Sequence, residues 1–488
     1  MLQDIKYTLR HSAVYGISRI ATKALAFVFV PLYTTVYSLG SIANINLLET
    51  FWQILLTICL FGFETSIITF CSPEKKENRK PLFFYFTLIL LINCSIFFII
   101  PMMFRSSIAG MVVHNAQYSN VIFLCFLICI FETLLVLPLS AARLNNSPKL
   151  YTGIALSSLM INFVLQLIFI LGLKKDFEWI FVAKFIGPMA VFILTIPYLI
   201  KQIKVQFDIE VIKKIIAFSF IFTLAAISAM LLNTADRFIL DLYQPKDTVA
   251  IYTVGYSVGS IINSLVLMPF NLALVGIFWK KAEEDNSERY FTKTTTYLFF
   301  TMILVSLIVS FYIPSGIKLF ARNPHLWPAV NVIRIILFAN CIGSLYYVSA
   351  LSFLYRKNSS VLLIVTSAAM VFNIIGNFIF IKYYGMYACA VLSVLSFLVQ
   401  VVLSYNIAKK YYYIRFEVYK MVLLSALYIL FSLIVTWYPL QNLLMDSFLK
   451  LGYIVIFFIL LYIFRFFEPI EIQSIKGFFN KYLKFGLK

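Results

Sequence analysis

The chain has 488 residues, of which 62% are hydrophobic and 12% are charged, with 40 Lys and Arg against 21 Asp and Glu. This composition is typical of a membrane protein with many spans and excludes a sizeable water-soluble domain. The net charge of +19 would suggest a nucleic-acid partner in a soluble chain, but here it lies in membrane-proximal loops. We therefore expect membrane lipids, and no nucleic acid, as partners.

Apolar runs of about 20 residues, the length that crosses the hydrocarbon core, divide the sequence. They predict fourteen spans, numbered in chain order, at 12–35, 44–70, 82–104, 118–139, 151–173, 179–200, 215–242, 248–279, 294–315, 327–353, 360–381, 385–408, 419–439 and 446–464. The polar intervals between spans are too short for a nucleotide-binding or catalytic domain. The prediction is an all-α integral membrane protein that is not an enzyme.

Basic residues mark one side of this arrangement. Of the 40, the termini and the loops after spans 2, 4, 6, 8, 10 and 12 hold 27, the other loops hold eight, and five lie inside spans. Lys420 and Lys450, at the first turns of spans 13 and 14, are counted with the loops next to them. We call the side with 27 the basic face. An excess of Lys and Arg in short loops marks the cytoplasmic side, so both termini are predicted to be cytoplasmic.

Span 1 carries two cations on one helical stripe, since Tyr15, Arg19 and Lys23 recur at four-residue spacing. Charges at membrane depth are costly and normally face a bundle interior or a watery cavity. Arg suits bidentate phosphate binding and Lys adds a point charge. Arg19 and Lys23 are therefore candidates for an anionic-headgroup site, with Tyr15 as a secondary candidate. The alternative is a structural ion pair between Arg19 and Glu64.

Span 2 is predicted as one continuous helix with a polar wall. At 100° per residue, its polar side chains fall within an arc of about 80°, and they are Asn46, Glu49, Gln53, Thr57 and Glu64. A polar stripe of this kind suits the lining of a cavity. We interpret Glu49, Gln53 and Glu64 as cavity wall or as sites of ion coupling.

Three further charges stand alone in their spans, namely Glu132 in span 4, Lys184 in span 6 and Arg334 in span 10. Glu132 lies deepest and is the strongest candidate for a protonatable site. Lys184 and Arg334 lie near span ends, so we expect their side chains to snorkel toward the membrane surface.

The end of span 7 is also charged. Arg237 and Asp241 lie one helical turn apart, which favours an ion pair that fixes the helix end. The other interpretation places Arg237 in a cavity, as a secondary candidate.

Span 8 presents Tyr256 and Asn263 on one stripe, and both are secondary cavity candidates. Gly255 and Gly259 have the GxxxG spacing that is typical of close helix packing. Pro269 is expected to kink this span, with Asn263 satisfying the freed backbone or lining a cavity.

Cysteines and histidines indicate no further chemistry. The seven Cys lie mostly within spans and the three His are far apart in the sequence. We therefore predict neither disulfides nor a metal site, and no cofactor.

A weak internal repeat lays Tyr37, at the exit of span 1, over Tyr243, at the exit of span 7. The offset corresponds to six spans, an even number, so the two halves keep the same orientation. This predicts a six-helix bundle at 1–208, a second at 209–410 related by a pseudo-two-fold axis along the membrane normal, and two extra helices with a tail at 411–488.

The stretches VPLYTTVYSLG at 30–40 and ADRFILDLY at 235–243, with the span number and basic N-terminus, resemble the O-antigen (Wzx-type) flippases of the multidrug/oligosaccharidyl-lipid/polysaccharide exporter superfamily. The resemblance implies a lipopolysaccharide, capsule or exopolysaccharide pathway in the bacterial cytoplasmic (inner) membrane. The substrate would be an oligosaccharide on undecaprenyl pyrophosphate, moved to the outer leaflet.

The resemblance also implies a central cleft between the bundles and transport by alternating access. It matches Arg19 and Lys23 to the cationic part of the cavity, and it suggests coupling to protons or sodium through Glu49, Glu64 or Glu132. A polysaccharide polymerase and other assembly proteins would be partners of a chain that functions as a monomer.

Two other functions remain open. A cation-coupled multidrug antiporter of the same superfamily would need unpaired carboxylates, whereas the first two spans hold as many cations as anions. A membrane polysaccharide polymerase would need a sizeable extracytoplasmic loop, and the loops here are short. The sequence favours an anionic, lipid-linked glycan, without indicating its sugars.

Overall fold

A computed structural model describes residues 29, 31–71, 76–145, 147–282, 284, 286–321, 323–355, 359–437, 443–469 and 473. Within these residues thirteen helices are long and apolar enough to cross a membrane, and they follow the order of predicted spans 2 to 14. The prediction of an all-α protein with many spans is confirmed. Most of span 1 lies outside the described residues.

The helix bounds extend several predicted spans by a few residues. Spans 2 and 8 each consist of two α-helices, and the bounds from span 2 onward are Leu39–Leu60 with Phe63–Cys71, Lys76–Val113, Ser119–Leu144, Pro148–Leu167, Glu178–Ile200, Ile209–Tyr243, Lys246–Gly259 with Met268–Lys281, Ser287–Phe320, Ala329–Tyr355, Ser359–Tyr384, Met386–Ala408, Val418–Trp437 and Leu443–Ile463.

The described spans pack as two bundles. Span 4 contacts spans 2, 3, 5 and 6 in the first bundle, and span 10 contacts spans 8, 9, 11 and 12 in the second. The bundles meet where span 2 packs against spans 7 and 8. Any side chain on these three spans that faces the contact is therefore shared between the bundles.

Span 2 is broken, contrary to the prediction of one continuous helix. Phe61 and Gly62 both adopt left-handed backbone conformations, with φ of 47° and 66°. A Cβ at Gly62 would lie 2.8 Å from the Ser219 carbonyl oxygen of span 7, so the break occurs where two backbones approach closely. The predicted polar wall is therefore wrong in one respect, because Glu64 lies on a separate helix from Glu49 and Gln53.

Span 8 packs closely on span 10 and then loosens. A Cβ at Gly255 would lie 2.9 Å from the Val332 side chain, and one at Gly259 would lie 2.9 Å from Ile336. The GxxxG prediction of close packing is confirmed. Beyond it, residues Asn263–Leu267 form a π-helical turn directly before the helix that contains Pro269.

Arg334 does not snorkel, and that prediction is wrong. Its side chain is only 7% exposed, and its guanidinium donates to the Thr436 hydroxyl of span 13. Tyr428, also of span 13, donates to the Arg334 carbonyl at 2.8 Å. Burying an Arg costs less when its donors have partners. Thr436 and the Ser310 carbonyl accept from the guanidinium, although its Nε is buried without a partner. Arg334 therefore links span 13 to the second bundle through hydrogen bonds.

All seven cysteines of the chain are buried, and each has a free thiol. Most of them lie inside the first bundle, where Cys129 donates to the Trp52 carbonyl at 3.5 Å. Cys341 lies in the second bundle, with its sulfur 3.1 Å from the Ser306 hydroxyl. The cysteines therefore contribute to helix packing as small, buried side chains.

Candidate functional site

The leading predicted headgroup residues, Arg19 and Lys23, lie outside the described residues, as does Tyr15. The structure therefore leaves their roles as predictions. The proposed pair of Arg19 with Glu64 stays a prediction for the same reason. The charged side chains that the structure describes lie on spans 2 to 14, in their connections and in the tail.

The first bundle contains an ion pair across spans 2 and 6. Lys184 binds the Glu49 carboxylate, and its ammonium lies 5.0 Å from the centre of the Trp52 ring, a cation–π contact. The prediction that Lys184 snorkels is wrong. An ammonium at membrane depth is stabilised more by a carboxylate on a neighbouring span than by a reach to the surface.

The other predicted wall residues are placed differently. Gln53 and Glu64 are exposed, and Glu132 is half-buried on span 4. Lys184 is near enough to act electrostatically on Glu132, although it pairs with Glu49. The structure thus brings Glu49, Glu132 and Lys184 together and leaves Gln53 and Glu64 outside this group.

One part of the first bundle was missed from the sequence. Gln166 of span 5 is only 1% exposed, accepts a hydrogen bond from the Tyr33 hydroxyl and donates to Asn162 at 2.6 Å. A buried glutamine within an apolar run was the available signal, since buried amides need partners. This network links the end of span 1 to span 5.

Arg237 and Asp241 do not form the predicted ion pair. The Asp241 carboxylate instead binds Lys246 at 2.8 Å and His114 at 3.1 Å. Because His114 belongs to the connection between spans 3 and 4, this carboxylate joins the two bundles at the side opposite the basic face. The i, i+4 spacing was misleading because both side chains have better partners on other elements.

Arg237 lies in the contact between the bundles. It donates to the Thr50 hydroxyl of span 2 at 3.1 Å, and its guanidinium carbon lies 4.7 Å from the centre of the Tyr256 ring. Its Nε is buried without a hydrogen-bond partner. The preceding Asp236 is fully buried and accepts a hydrogen bond from Tyr252. Arg237 is thus positioned by a hydroxyl and an aromatic face.

A cavity of about 220 Å³ lies inside the second bundle, and we call it the second-bundle cavity. Residues of spans 7, 8, 10, 11 and 12 line it, namely Ala225, Ala229, Leu232, Asn233, Asn263, Leu267, Asn340, Gly343, Tyr346, Tyr347, Leu362, Thr366, Phe397 and Gln400. Asn263 lines it as the sequence suggested. Tyr256 borders it, since its hydroxyl donates to the Asn233 side-chain oxygen at 3.1 Å.

A larger groove of about 800 Å³ runs between spans 8 and 9 and includes Arg289 and Lys293. Both cations are already paired, because Glu468 binds Arg289 at 3.3 Å and Lys293 at 2.6 Å. Lys293 also binds Glu417 at 2.8 Å. We call these four residues the basic-face cluster. Because carboxylates already bind both cations of the groove, the groove is a poor site for an anion.

Metal ligation has no support in the described part of the chain, which contains no group of three or more His, Cys, Asp or Glu side chains able to hold a metal ion. Carboxylates and histidines there are spread over separate helices.

The fold matches solved membrane transporters. A lipid II flippase MurJ in an inward closed conformation is 13% identical, with a TM-score of 0.74 over 92% of this chain and 99% of that chain. An inward-facing multidrug resistance MATE family transporter is 16% identical, with a TM-score of 0.65 over 81% and 97%. A MATE transporter from Vibrio cholerae is 13% identical, with a TM-score of 0.60 over 82% and 94%.

Sequence comparison gives the family. None of the curated proteins matches this chain significantly. The model of the family described as "Polysaccharide biosynthesis protein" matches residues 8–281, which is more than half of the chain. The chain therefore belongs to this polysaccharide biosynthesis protein family.

Proposed function

We propose that this protein moves a polyprenyl-pyrophosphate-linked oligosaccharide from the cytoplasmic to the outer leaflet of a bacterial cytoplasmic membrane. The glycan would be a repeat unit of an O-antigen, a capsule or an exopolysaccharide. Family membership and the fold shared with a lipid II flippase support the proposal. The two bundles would rock against each other about the headgroup, with the lipid tail remaining in the membrane.

The observation that carries the proposal is the set of contacts that Arg237 makes between the bundles. Within the described residues no carboxylate forms an ion pair with it, and it is held between the bundles by Thr50 and Tyr256. Its buried Nε has no hydrogen-bond partner. A guanidinium binds phosphate oxygens through parallel N–H donors, so Arg237 is suited to the pyrophosphate of a substrate that lies between the bundles.

Lys184, in contrast, is neutralised by Glu49. That leaves Glu132 as the carboxylate of this group with no ion pair among the described residues. We assign proton coupling to Glu132, because a half-buried carboxylate near a paired cation can exchange a proton as its surroundings change. Arg19 and Lys23 remain proposed as additional headgroup ligands.

The test is translocation of a fluorescent undecaprenyl-pyrophosphate oligosaccharide by the full chain in liposomes. Arg237→Ala should lower the rate at least tenfold, because the pyrophosphate loses its guanidinium ligand. Arg105→Ala is the matched control, since Arg105 is exposed near the same membrane surface and contacts Asn120 at 3.4 Å. Equal rates for Arg237→Ala and the control would refute the role of Arg237.

The second candidate is multidrug antiport, because solved MATE transporters share the fold. Cationic drugs need an available carboxylate. Glu49 is already bound to Lys184, so an antiporter would have to use Glu132. Uptake of a cationic dye driven by a proton gradient, with no movement of the lipid-linked glycan, would establish the antiporter and reject the flippase. A polymerase is the least favoured function, because the loops are short. It would be recognised in the same liposomes by lengthening of the glycan.

A further inference from the structure

We infer that the second-bundle cavity binds one uncharged sugar residue of the transported glycan, an assignment that rests on the proposed function. The evidence is the chemistry of the lining, one unpaired amide oxygen inside the bundle, and the position of the cavity next to Arg237. None of these three observations depends on which charged side chains form ion pairs with each other.

The described residues that line the cavity carry no charge. They supply carboxamides, hydroxyls and aromatic rings, from Asn233, Asn263, Asn340, Gln400, Thr366, Tyr346, Tyr347 and Phe397. Carboxamides and hydroxyls donate and accept, as sugar hydroxyls do, while aromatic rings pack on the apolar face of a sugar ring. A bare cation or a cationic drug would find no carboxylate here, and an acidic sugar would find no cation.

The hydrogen-bond network fixes the orientation of the amides. Asn340 uses its amino group on backbone carbonyls, donating to Ile336 at 2.9 Å and to Gly259 at 3.4 Å. Its oxygen must therefore accept, and Asn263 donates to it at 2.6 Å. The Asn263 oxygen is left buried with no partner. Buried acceptors without a donor are costly, and a sugar hydroxyl would satisfy this one.

Local backbone structure presents Asn263 to the cavity. It is the first residue of the π-helical turn Asn263–Leu267, and a π turn shifts the side chains that follow relative to a regular α-helix. Such turns are often found at functional sites. Pro269 supports the irregularity, because it lacks the N–H that a regular helix would use at that position.

The size and location fit one sugar of a longer glycan. At roughly 30 Å³ for each water in the liquid, a cavity of about 220 Å³ holds the equivalent of about seven waters. That is the scale of one monosaccharide. Asn233, which lines the cavity, lies one helical turn, about 6 Å of rise, from Arg237. A pyrophosphate at Arg237 would thus place a nearby sugar at the cavity.

The experiment measures binding of free methyl glycosides to the purified full chain by saturation-transfer difference NMR. Methyl glucoside and methyl galactoside are the neutral probes, and methyl glucuronide is the charged probe. We expect at least one neutral glycoside to bind to the native chain. In Arg237→Ala, which removes the cation next to the cavity, the glucuronide should bind at least tenfold more weakly than the neutral glycoside, since its carboxylate would lose water without gaining a cation.

Two variants test the location. Asn263→Leu should abolish neutral-glycoside binding, with Asn406→Leu on the exposed end of span 12 as the control. Ala229→Phe fills the cavity from the exposed side of span 7 and removes no hydrogen bond, so it tests the site if Asn263→Leu misfolds. Undiminished binding in Ala229→Phe would overturn the assignment.

Failure of this inference is distinct from failure of the proposed function. No glycoside binding by the native chain, or equal binding of the glucuronide in Arg237→Ala, overturns the sugar site even if the lipid-linked glycan is translocated. Translocation at the native rate by Ala229→Phe overturns it as well. Glycoside binding with no translocation supports the sugar site and rejects the flippase.

Discussion

Three cations inside the spans show three ways to stabilise a charge at membrane depth. Lys184 pairs with a carboxylate, Arg334 is bound by hydroxyl and carbonyl groups, and Arg237 is held by a hydroxyl and an aromatic face. The first is neutral as a pair and the second is enclosed by packing. Among these three, the third combines a guanidinium that forms no ion pair among the described residues with a place between the bundles, which is why it is the proposed phosphate ligand.

Replacement of Lys184 by Met should destabilise the protein. Glu49 would lose its partner, and we expect a loss of roughly 1–3 kcal/mol, less than the 3–5 kcal/mol of fully buried pairs, because the two side chains are 13% and 25% exposed. Thermal unfolding in detergent measures the change. The double variant Lys184→Met with Glu49→Leu should recover most of the loss, and no recovery would show that the ion pair is not its source.

Glu132→Gln should uncouple transport from the proton gradient. The amide keeps the shape of the side chain but cannot release a proton, so the stimulation of glycan translocation by an imposed pH gradient should disappear. Rates in liposomes with and without the gradient give the measurement. Glu64→Gln serves as the comparison, and stimulation that persists in Glu132→Gln but not in Glu64→Gln would move the coupling site to Glu64.

At the scale of elements, the irregular parts of spans 2 and 8 have different origins. Span 2 breaks at Phe61 and Gly62 because the backbone of span 7 approaches closely. Span 8 contains a π turn between its glycine pair, which packs on span 10, and Pro269. In both spans the irregularity lies next to a partner helix. A straight span 2 would clash with span 7, and a straight span 8 would fill the second-bundle cavity.

Gly255→Leu should weaken the packing of span 8 on span 10. Even a Cβ would lie 2.9 Å from Val332 and 3.2 Å from the Ala329 carbonyl oxygen, so the larger side chain should cost about 1–3 kcal/mol or more. The midpoint of thermal unfolding reports this loss. Gly153→Ala is the control, because nothing lies within 4 Å of its added Cβ and alanine favours helix by about 0.5–1 kcal/mol. A similar change in both variants would contradict this role of Gly255.

The sequence predicts the elements better than their partners. Span positions follow from apolar runs, and the glycine spacing identifies a close contact, since both signals are local. The partner of Glu49 is 135 residues away, and no periodicity within a span points to it. The Asn263 oxygen and the break at Gly62 likewise depend on what neighbouring spans place there. The prediction that the Lys184 and Arg334 side chains snorkel to the membrane surface was wrong for the same reason, because both side chains bind partners on other spans.

At the scale of the whole molecule, two contacts between the bundles, toward opposite faces of the membrane, differ in charge. Toward the basic face, the Ser66 and Ser219 hydroxyls lie 2.7 Å apart beside Gly62. Toward the opposite face, Asp241 joins His114 to Lys246. Opening the first contact separates hydroxyls, backbone and aromatic rings such as Phe70 from Phe218. Opening the second separates the Asp241 carboxylate from the His114 imidazole, while its ion pair with Lys246 stays within the second bundle. Alternating access would therefore meet a different electrostatic barrier in each direction.

The basic-face cluster should make stability depend on pH. Burial alone would raise the pKa of Glu417, but hydrogen bonds from Lys293, Thr296 and Lys420 outweigh it and lower the pKa. A hydrogen bond from Lys293 likewise lowers the pKa of Glu468. Depressed carboxyl pKa values stabilise the folded state above the unfolded pKa of about 4.3, and the stabilisation is lost as pH falls through the lower, folded values.

The measurement is the unfolding temperature of the purified chain between pH 7 and pH 3. Glu417→Gln should lower it at pH 7 and reduce its fall with acidification, because the titrating group is gone. Glu210→Gln is the comparison, since Glu210 is exposed and pairs with the exposed Lys213 three residues away. An identical pH profile for native chain and Glu417→Gln would show that the cluster does not contribute.

The burial of every cysteine has a practical consequence for observing the bundles move. Maleimide reagents modify accessible thiolates, and buried thiols in apolar surroundings are inert. A single cysteine introduced at an exposed position, such as Leu242 beside the Asp241 contact, would then be the dominant site of labelling in an otherwise native chain. Fluorophores or spin labels attached there could follow the transport cycle without first removing the seven native thiols.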